Sequence, residues 1–192
     1  MSVIRFVVPA LVLTAGPIAQ QAPPPCAGLP PGKHAVLERM SVDFGLTCEQ
    51  QLKAEVILHS EESVTKPLLK FASFTADQRQ AVMTTIKLAA RRQIRPLLTP
   101  DQQIKLDKDM ADVAKGGKTG GGKRTTPSPQ ASTFDDEEAL ATALTKYDAL
   151  TAGERKALVL QVKRAARADA SLQLTRDQQK TLDQEITALS RQ

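Results

Sequence analysis

The stretch FTADQRQAVMTTIKLAARRQIRPLLTPDQQ, residues 74–103, decides the fold class of this chain. Val82, Ile86 and Ala89 follow one another at steps of three or four residues, which is the spacing of an amphipathic helix with one apolar face. Pro96 should end this helix, because proline lacks a backbone N–H and disfavours helical geometry in the residue before it. The stretch therefore predicts a long helix, a break, and the start of another helix.

The same unit returns 76 residues further along the chain. Residues 150–179, LTAGERKALVLQVKRAARADASLQLTRDQQ, align with residues 74–103 without a gap. Lys87 aligns with Lys163, for example, and similar matches continue on both sides. A constant offset through many matches indicates internal duplication of one helical unit. We therefore expect an all-α fold of duplicated amphipathic helical hairpins, joined by a flexible linker.

The composition agrees with helices. Aromatic residues make up 3% of the 192 residues, with a single Tyr and no Trp, so the core must consist of Leu, Ile, Val, Met and Ala. These residues suit helices better than a β-sandwich, which favours β-branched and aromatic side chains. The formal net charge of +5 permits an acidic partner but does not demand one.

The beginning of the chain resembles a secretory signal. Arg5 supplies the positive charge, residues 6–15 are apolar, and small residues at Ala19 and Ala22 offer a cleavage site. We expect residues 1–22 to be a cleaved signal peptide and the mature protein to be periplasmic; an uncleaved anchor is the alternative. The apolar run is too short to span a bilayer and no later one is apolar enough, so we expect no stable membrane insertion.

Two cysteines, Cys26 and Cys48, remain in the exported chain. An even number of cysteines in an oxidising compartment favours a disulfide, and a redox or metal-binding pair is the alternative. A disulfide would close a loop of about 22 residues, which contributes roughly 3 kcal/mol in a chain-entropy model.

Composition also divides the chain into segments. Residues 23–45 are rich in Pro and Gly, and we predict an irregular leader there. Residues 115–132 contain Gly, Lys, Ser, Thr and Pro and predict a flexible basic linker. The two helical units are then residues 46–114 and 133–192. Each unit alone is marginal for an independent core, so we expect the units to pack on each other or on a second chain.

Five helix starts carry a Leu-Thr-x-x-Gln motif or a variant of it. In such a capping box the Thr hydroxyl accepts a hydrogen bond from the backbone N–H three residues later, and the Gln or Glu side chain accepts one from the Thr backbone N–H. The predicted capping pairs are Thr47 with Gln50, Thr75 with Gln78, Thr99 with Gln102, Thr151 with Glu154, and Thr175 with Gln178.

Recurrent LTxxQ motifs in an exported, basic, helical chain resemble the Spy/CpxP family of periplasmic proteins. The resemblance covers residues 46–114 and 133–192. It implies helical hairpins that pair into a curved dimer, and the activity of an ATP-independent chaperone, an envelope-stress regulator or a metal-responsive protein. Because this chain repeats the unit, an intramolecular pairing could replace the dimer, and a homodimer remains open.

Other candidate chemistry is weaker. Residues 117–123 have the spacing of a phosphate-binding loop, but Arg124 occupies the position where Ser or Thr must hold magnesium. His34 with Glu38 and Met40, and His59 with Glu61 and Glu62, are the available metal ligands, and isolated exposed residues are the simpler interpretation. We expect no metal, no cofactor and no enzymatic activity, and no nucleic-acid partner, because aromatic residues are scarce.

A basic stripe is more informative. Lys87, Arg91 and Arg95 lie four residues apart on one helical face, and Lys163 and Arg167 repeat the first two. One interpretation is a solvated face, or ion pairs with Asp107 and Asp183 across a hairpin. The other is a client-binding surface that attracts unfolded chains by charge and holds them by apolar contacts.

The leading functional expectation is an ATP-independent, holdase-like periplasmic chaperone for unfolded or partly folded envelope proteins. The alternatives are a regulatory module that docks on the periplasmic domain of a sensor kinase, and a metal-responsive binding protein.

Overall fold

The computed structural model describes Cys26 and residues 35–115 and 133–191. Within these ranges the chain forms seven α-helices and two 3-10 turns and contains no strand, which confirms the all-α prediction. The predicted signal peptide and almost all of the predicted linker lie outside the described residues. The helices are α1 (Ala35–Phe44), α2 (Cys48–Lys70), α3 (Ala76–Ile94), α4 (Pro100–Ala114), α5 (Phe134–Lys146), α6 (Ala152–Ala168) and α7 (Arg176–Arg191), and the 3-10 turns are Arg95–Leu97 and Ala170–Leu172.

Helix α1 corrects the prediction of an irregular leader over residues 23–45. The prolines and glycines of that segment lie before residue 33 and at Gly45, so residues 35–44 contain nothing that breaks a helix. Leu37 and Met40 are buried, three residues apart on one face. Gly45 ends the helix with a φ of +67°, a left-handed conformation that glycine adopts without steric cost.

The helix starts and stops follow local chemistry. Helix α3 ends at Ile94, immediately before the 3-10 turn that contains Pro96, as the missing N–H of proline predicts. Pro100 occupies the first position of α4, where a proline costs no hydrogen bond.

The two halves of the chain have helix boundaries at the same offset of 76 residues. Helices α2 and α5 end at Lys70 and Lys146, α3 and α6 begin at Ala76 and Ala152, and α4 and α7 begin at Pro100 and Arg176. Helix α1 and the first half of α2 have no described counterpart in the second half.

The larger hydrophobic core joins the two halves. We call it the shared core. It contains seven pairs of buried residues at the 76-residue offset, together with Leu182 and the neighbouring buried side chains of α5 and α6. Helix α2 packs on α5 at its centre, and α3 and α6 pack on them. The pairs are Val64 with Leu140, Leu68 with Leu144, Phe71 with Tyr147, Phe74 with Leu150, Val82 with Leu158, Ile86 with Val162, and Ala89 with Ala165.

A second core lies under α1. Leu37 and Met40 pack with the first half of α2 and with the beginning of α4, so the extra helix covers one end of the first hairpin. Ile94, Leu98 and Leu106 supply the other side of this core. None of the helices in the described ranges is both long enough and apolar enough to cross a membrane.

Candidate functional site

All five predicted capping boxes are present, and a further one begins α5 at Thr133. At Thr75, for example, the backbone N–H donates to Gln78 Oε1 over 2.9 Å, and Gln78 N–H donates to the Thr75 hydroxyl over 3.2 Å. The box at Thr133 uses Asp136 in place of Gln, so the Leu-Thr-x-x-Gln motif did not predict it.

Two of the capping glutamines also bind each other. Gln50 Nε2 donates to Gln102 Oε1 over 2.9 Å, and Gln102 Nε2 donates to Gln50 Oε1 over 3.3 Å. Gln50 also donates to the carbonyl oxygen of Leu97, and Gln102 to that of Gly45. We call this arrangement the glutamine clasp. It joins the starts of α2 and α4, a role that the capping motif alone does not predict.

Four of the five predicted client-binding cations make ion pairs. Arg91 is 2% exposed and its Nε lies 2.6 Å from Asp109 Oδ2. Arg95 pairs with Asp107 at 2.9 Å and Arg167 with Asp183 at 2.8 Å. These contacts correspond to the ion-pair interpretation of the stripe. Lys87 is half-buried on α3.

Lys163 lies between two acidic side chains. Its Nζ is 3.1 Å from Glu137 Oε1 and 2.8 Å from Glu185 Oε2, so it connects α5, α6 and α7. Glu137 is fully buried, and this burial raises its pKa, although Lys163 opposes the rise. Burial alone would lower the pKa of Lys163, but its hydrogen bonds to Glu185 and Glu137 raise it above the ordinary value. The arrangement stabilises the packing of the three helices, and both carboxylates engage the ammonium group of Lys163.

A groove of about 880 Å³ lies between the α2–α3 turn and the outer face of α6. We call it the α6 groove. Phe74 and Ala165 are nearly buried and form its floor, and the half-buried Leu160 adds a larger apolar side chain.

Polar groups surround this apolar surface. Gln78, Arg164 and Asp169 line its edge. Asp169 Oδ2 accepts a hydrogen bond from the Ser73 hydroxyl over 2.7 Å, which ties the turn to the end of α6. Gln78 uses its Oε1 in the cap of α3, and the N–H groups of its side-chain amide have no acceptor among the described residues. The groove therefore offers apolar contact, hydrogen-bond donors and the guanidinium group of Arg164, which donates to the Ser190 hydroxyl over 3.4 Å.

The equivalent position in the other half is spanned by an ion pair. At the 76-residue offset, Ala168 of the α6 groove aligns with Arg92 in the first half, and Gln78 aligns with Glu154 in the second half. Arg92 Nη2 donates to both carboxylate oxygens of Glu154, over 2.8 and 2.9 Å. The two halves therefore differ where the α6 groove lies, and Arg92 in place of Ala168 and Glu154 in place of Gln78 are the differences that form this ion pair.

The structure contains the predicted disulfide between Cys26 and Cys48, with a Cα–Cα distance of 5.4 Å. Cys48 is the first residue of α2, so the bond ties the leader to the start of that helix.

No group of three or more His, Cys, Asp or Glu side chains within the described residues is arranged to hold a metal ion. The first candidate ligand set includes His34, which lies outside those residues. His59 is exposed on α2.

The groove was not predicted from the sequence. Its lining comes from the α2–α3 turn and from α6, about 80 to 95 residues apart in the chain, and its small residues, such as Ala157 and Ala168, carry no motif. One available signal was the difference between the halves at Arg92 and Glu154. No protein-family model, no curated protein and no solved structure matches this chain.

Proposed function

We propose that this protein is an ATP-independent, holdase-like chaperone of the periplasm that binds unfolded or partly folded envelope proteins in the α6 groove. The observation that carries the proposal is the groove itself: an open groove with an apolar floor, beside two hydrophobic cores that are buried. The apparent secretory signal in residues 1–22 supports the location.

The chemistry of the groove suits a client without a fixed sequence. Phe74, Leu160 and Ala165 offer apolar contact to any Leu- or Val-sized side chain, each worth about 1.5–3 kcal/mol on full burial. The amide of Gln78 can donate to a backbone carbonyl oxygen, which every client segment carries. Because association and ordering oppose these gains, such a site binds weakly and releases its client without ATP.

The client-binding surface is then the α6 groove and not the basic stripe. Lys163, Arg91, Arg95 and Arg167 make internal ion pairs, so their positive charge is largely compensated. Arg164, at the edge of the groove, is exposed and becomes the cation that attracts acidic client segments.

We further propose that the scaffold is a duplicated LTxxQ hairpin unit of Spy/CpxP type. Two observations support the duplication: the end of α2 and the beginnings of α3 and α4 recur at the 76-residue offset, and seven buried pairs of the shared core have the same offset. In this interpretation the two units pair within one chain.

The proposal is tested by the aggregation of a chemically denatured client after dilution, followed by light scattering without ATP. The mature protein at several-fold molar excess should suppress aggregation, and unchanged scattering at that excess would refute the proposal. The variant Leu160→Glu places a charge in the apolar part of the groove and should lose most of the suppression of client aggregation. The matched control is Thr84→Glu, which adds the same charge at the position of α3 that corresponds to Leu160, and should retain suppression.

A further inference from the structure

The glutamine clasp has an approximate two-fold symmetry. Two complete Leu-Thr-x-x-Gln motifs, Leu46–Gln50 and Leu98–Gln102, face each other. Each glutamine donates to the carbonyl oxygen of the residue that precedes the other motif's leucine, Leu97 in one direction over 2.9 Å and Gly45 in the other over 3.1 Å. The two side-chain amides also bind each other. One LTxxQ motif is therefore a suitable partner for another.

The third complete motif, Leu174–Gln178 at the start of α7, has the same local structure. Thr175 and Gln178 form the capping box. The next residue, Gln179, donates to the carbonyl oxygen of Leu174 over 3.2 Å, just as Gln103 donates to that of Leu98 over 3.0 Å.

The residue before this motif also matches the clasp. Gln173 has a φ of +44°, and Gly45, at the corresponding position of the first motif, has a φ of +67°. A left-handed conformation is uncommon for a residue with a side chain. Both residues therefore turn the chain in the same way immediately before the leucine.

The third motif lacks a partner among the described residues. Gln178 uses its Oε1 in the cap, and the N–H groups of its amide have no acceptor there. Leu174 is only half-buried, whereas Leu46 and Leu98 are 3% and 6% exposed within their clasp. The motif thus has both halves of the clasp, a glutamine donor and a carbonyl acceptor, and neither is used.

We propose that the Leu174–Gln178 motif is the contact surface for a second copy of this chain. The two copies meet around a two-fold axis, and Gln178 of each copy donates to the Gln173 carbonyl oxygen of the other. A motif that carries both donor and acceptor is self-complementary, as a two-fold interface requires. The internal clasp between Gln50 and Gln102 is the template for this contact.

The interface is small, because it involves the tips of two helical hairpins. Contacts of this size belong to the weak and transient class of protein association. We expect a dissociation constant of about 10–500 µM, which corresponds to that class. The association should therefore depend on protein concentration over this range.

Sedimentation equilibrium of the disulfide-bonded mature protein, from a few micromolar to one millimolar, tests the proposal. The wild type should change from monomer to dimer over the range. Gln178→Glu retains the cap, since Glu154 fills the same role at α6, but it cannot donate and sets two carboxylates against each other. It should weaken the dimer at least about tenfold. Gln184→Glu adds the same charge on the exposed side of α7 and should dimerise like the wild type.

A second measurement does not depend on any variant. An amine-reactive crosslinker should join Lys180 to Lys180, a product that can form only between two copies, because Lys180 follows the motif by two residues. A wild type that stays monomeric to one millimolar would overturn the proposal. If residues 116–132 of the same chain occupied the motif instead of a second copy, the wild type would also stay monomeric. A dimer that Gln178→Glu leaves unchanged, or a dimer without the Lys180 crosslink, would overturn it as well.

Discussion

The capping residues show which contacts of a side chain can be predicted from the sequence and which cannot. The Thr and the Gln or Glu of each box could be predicted, because capping is a local interaction over three residues. The tertiary partner of the glutamine or glutamate side chain could not be predicted, because it is a residue about 50 or more positions away. Gln50 binds Gln102, Glu154 binds Arg92, and Gln78 lines the α6 groove. Capping motifs of the same type therefore serve three different tertiary roles.

The buried Glu137 leads to a prediction at the scale of one residue. Its surroundings comprise Lys163 on α6, Glu185 on α7 and Glu138 on its own helix, and burial raises its pKa above the ordinary value of 4.5. The folded state therefore holds a proton more readily than the unfolded state between pH 4.5 and the raised pKa. The stability that this residue contributes is complete below pH 4.5 and is lost as the pH rises through the raised pKa.

The measurement is the free energy of unfolding in urea between about pH 4 and 7, for the wild type and for Glu137→Gln. The difference, wild type minus variant, should fall as the pH rises. Taking the difference removes the opposite trend of carboxylates such as Asp107 and Asp169, whose pKa values are lowered in the folded state. A difference that rises with pH would contradict the assigned environment of Glu137.

At the scale of helices, sequence patterns were informative wherever the signal was periodic. The buried faces of α3 and α6 were predicted from the spacing of their apolar residues. The end of α3 before Pro96 was predicted from the missing N–H of proline. Helix α1 was missed because the composition of a 23-residue segment concealed ten residues without Pro or Gly. The partner of each helix was also beyond the sequence, since an amphipathic face shows that a helix packs but not on what.

The glutamine clasp predicts unequal effects of two similar substitutions. Gln102→Ala removes a cap and the hydrogen bonds to Gly45 and Gln50, and Gln102 is 9% exposed. Gln178→Ala removes only a cap in the monomer. Because a buried hydrogen-bonding group left without a partner costs about 1–3 kcal/mol, Gln102→Ala should lose about 1–2 kcal/mol more than Gln178→Ala.

Urea unfolding at a few micromolar protein, where the proposed dimer is dissociated, provides the comparison. Equal losses for the two variants would mean that the clasp contributes nothing to stability beyond its caps.

At the scale of the whole molecule, the shared core decides how the protein behaves. The sequence predicted that the halves pack on each other or on a second chain, and left the choice open. In the structure, Leu68 and Phe71 of the first half pack in one core with Leu144 and Tyr147 of the second. The choice depends on the relative position of helices far apart in the chain, which no local pattern encodes.

A shared core predicts a single cooperative unfolding transition. The calorimetric and van't Hoff enthalpies of the chain without the predicted signal peptide should agree. Leu144→Ala, at a fully buried position, should shift the whole transition and cost about 2–5 kcal/mol. Two resolved transitions, of which only one responds to Leu144→Ala, would show that the halves unfold independently.

The central claim is that the α6 groove binds unfolded polypeptide, and equilibrium binding tests it most directly. The measurement is the fluorescence anisotropy of a labelled, permanently unfolded protein, titrated with the wild type, Leu160→Glu and Thr84→Glu in the absence of ATP. We predict saturable binding by the wild type, about tenfold or greater weakening by Leu160→Glu, as loss of one buried apolar side chain implies, and wild-type binding by Thr84→Glu. The absence of binding by the wild type, or equal binding by all three proteins, would contradict the claim.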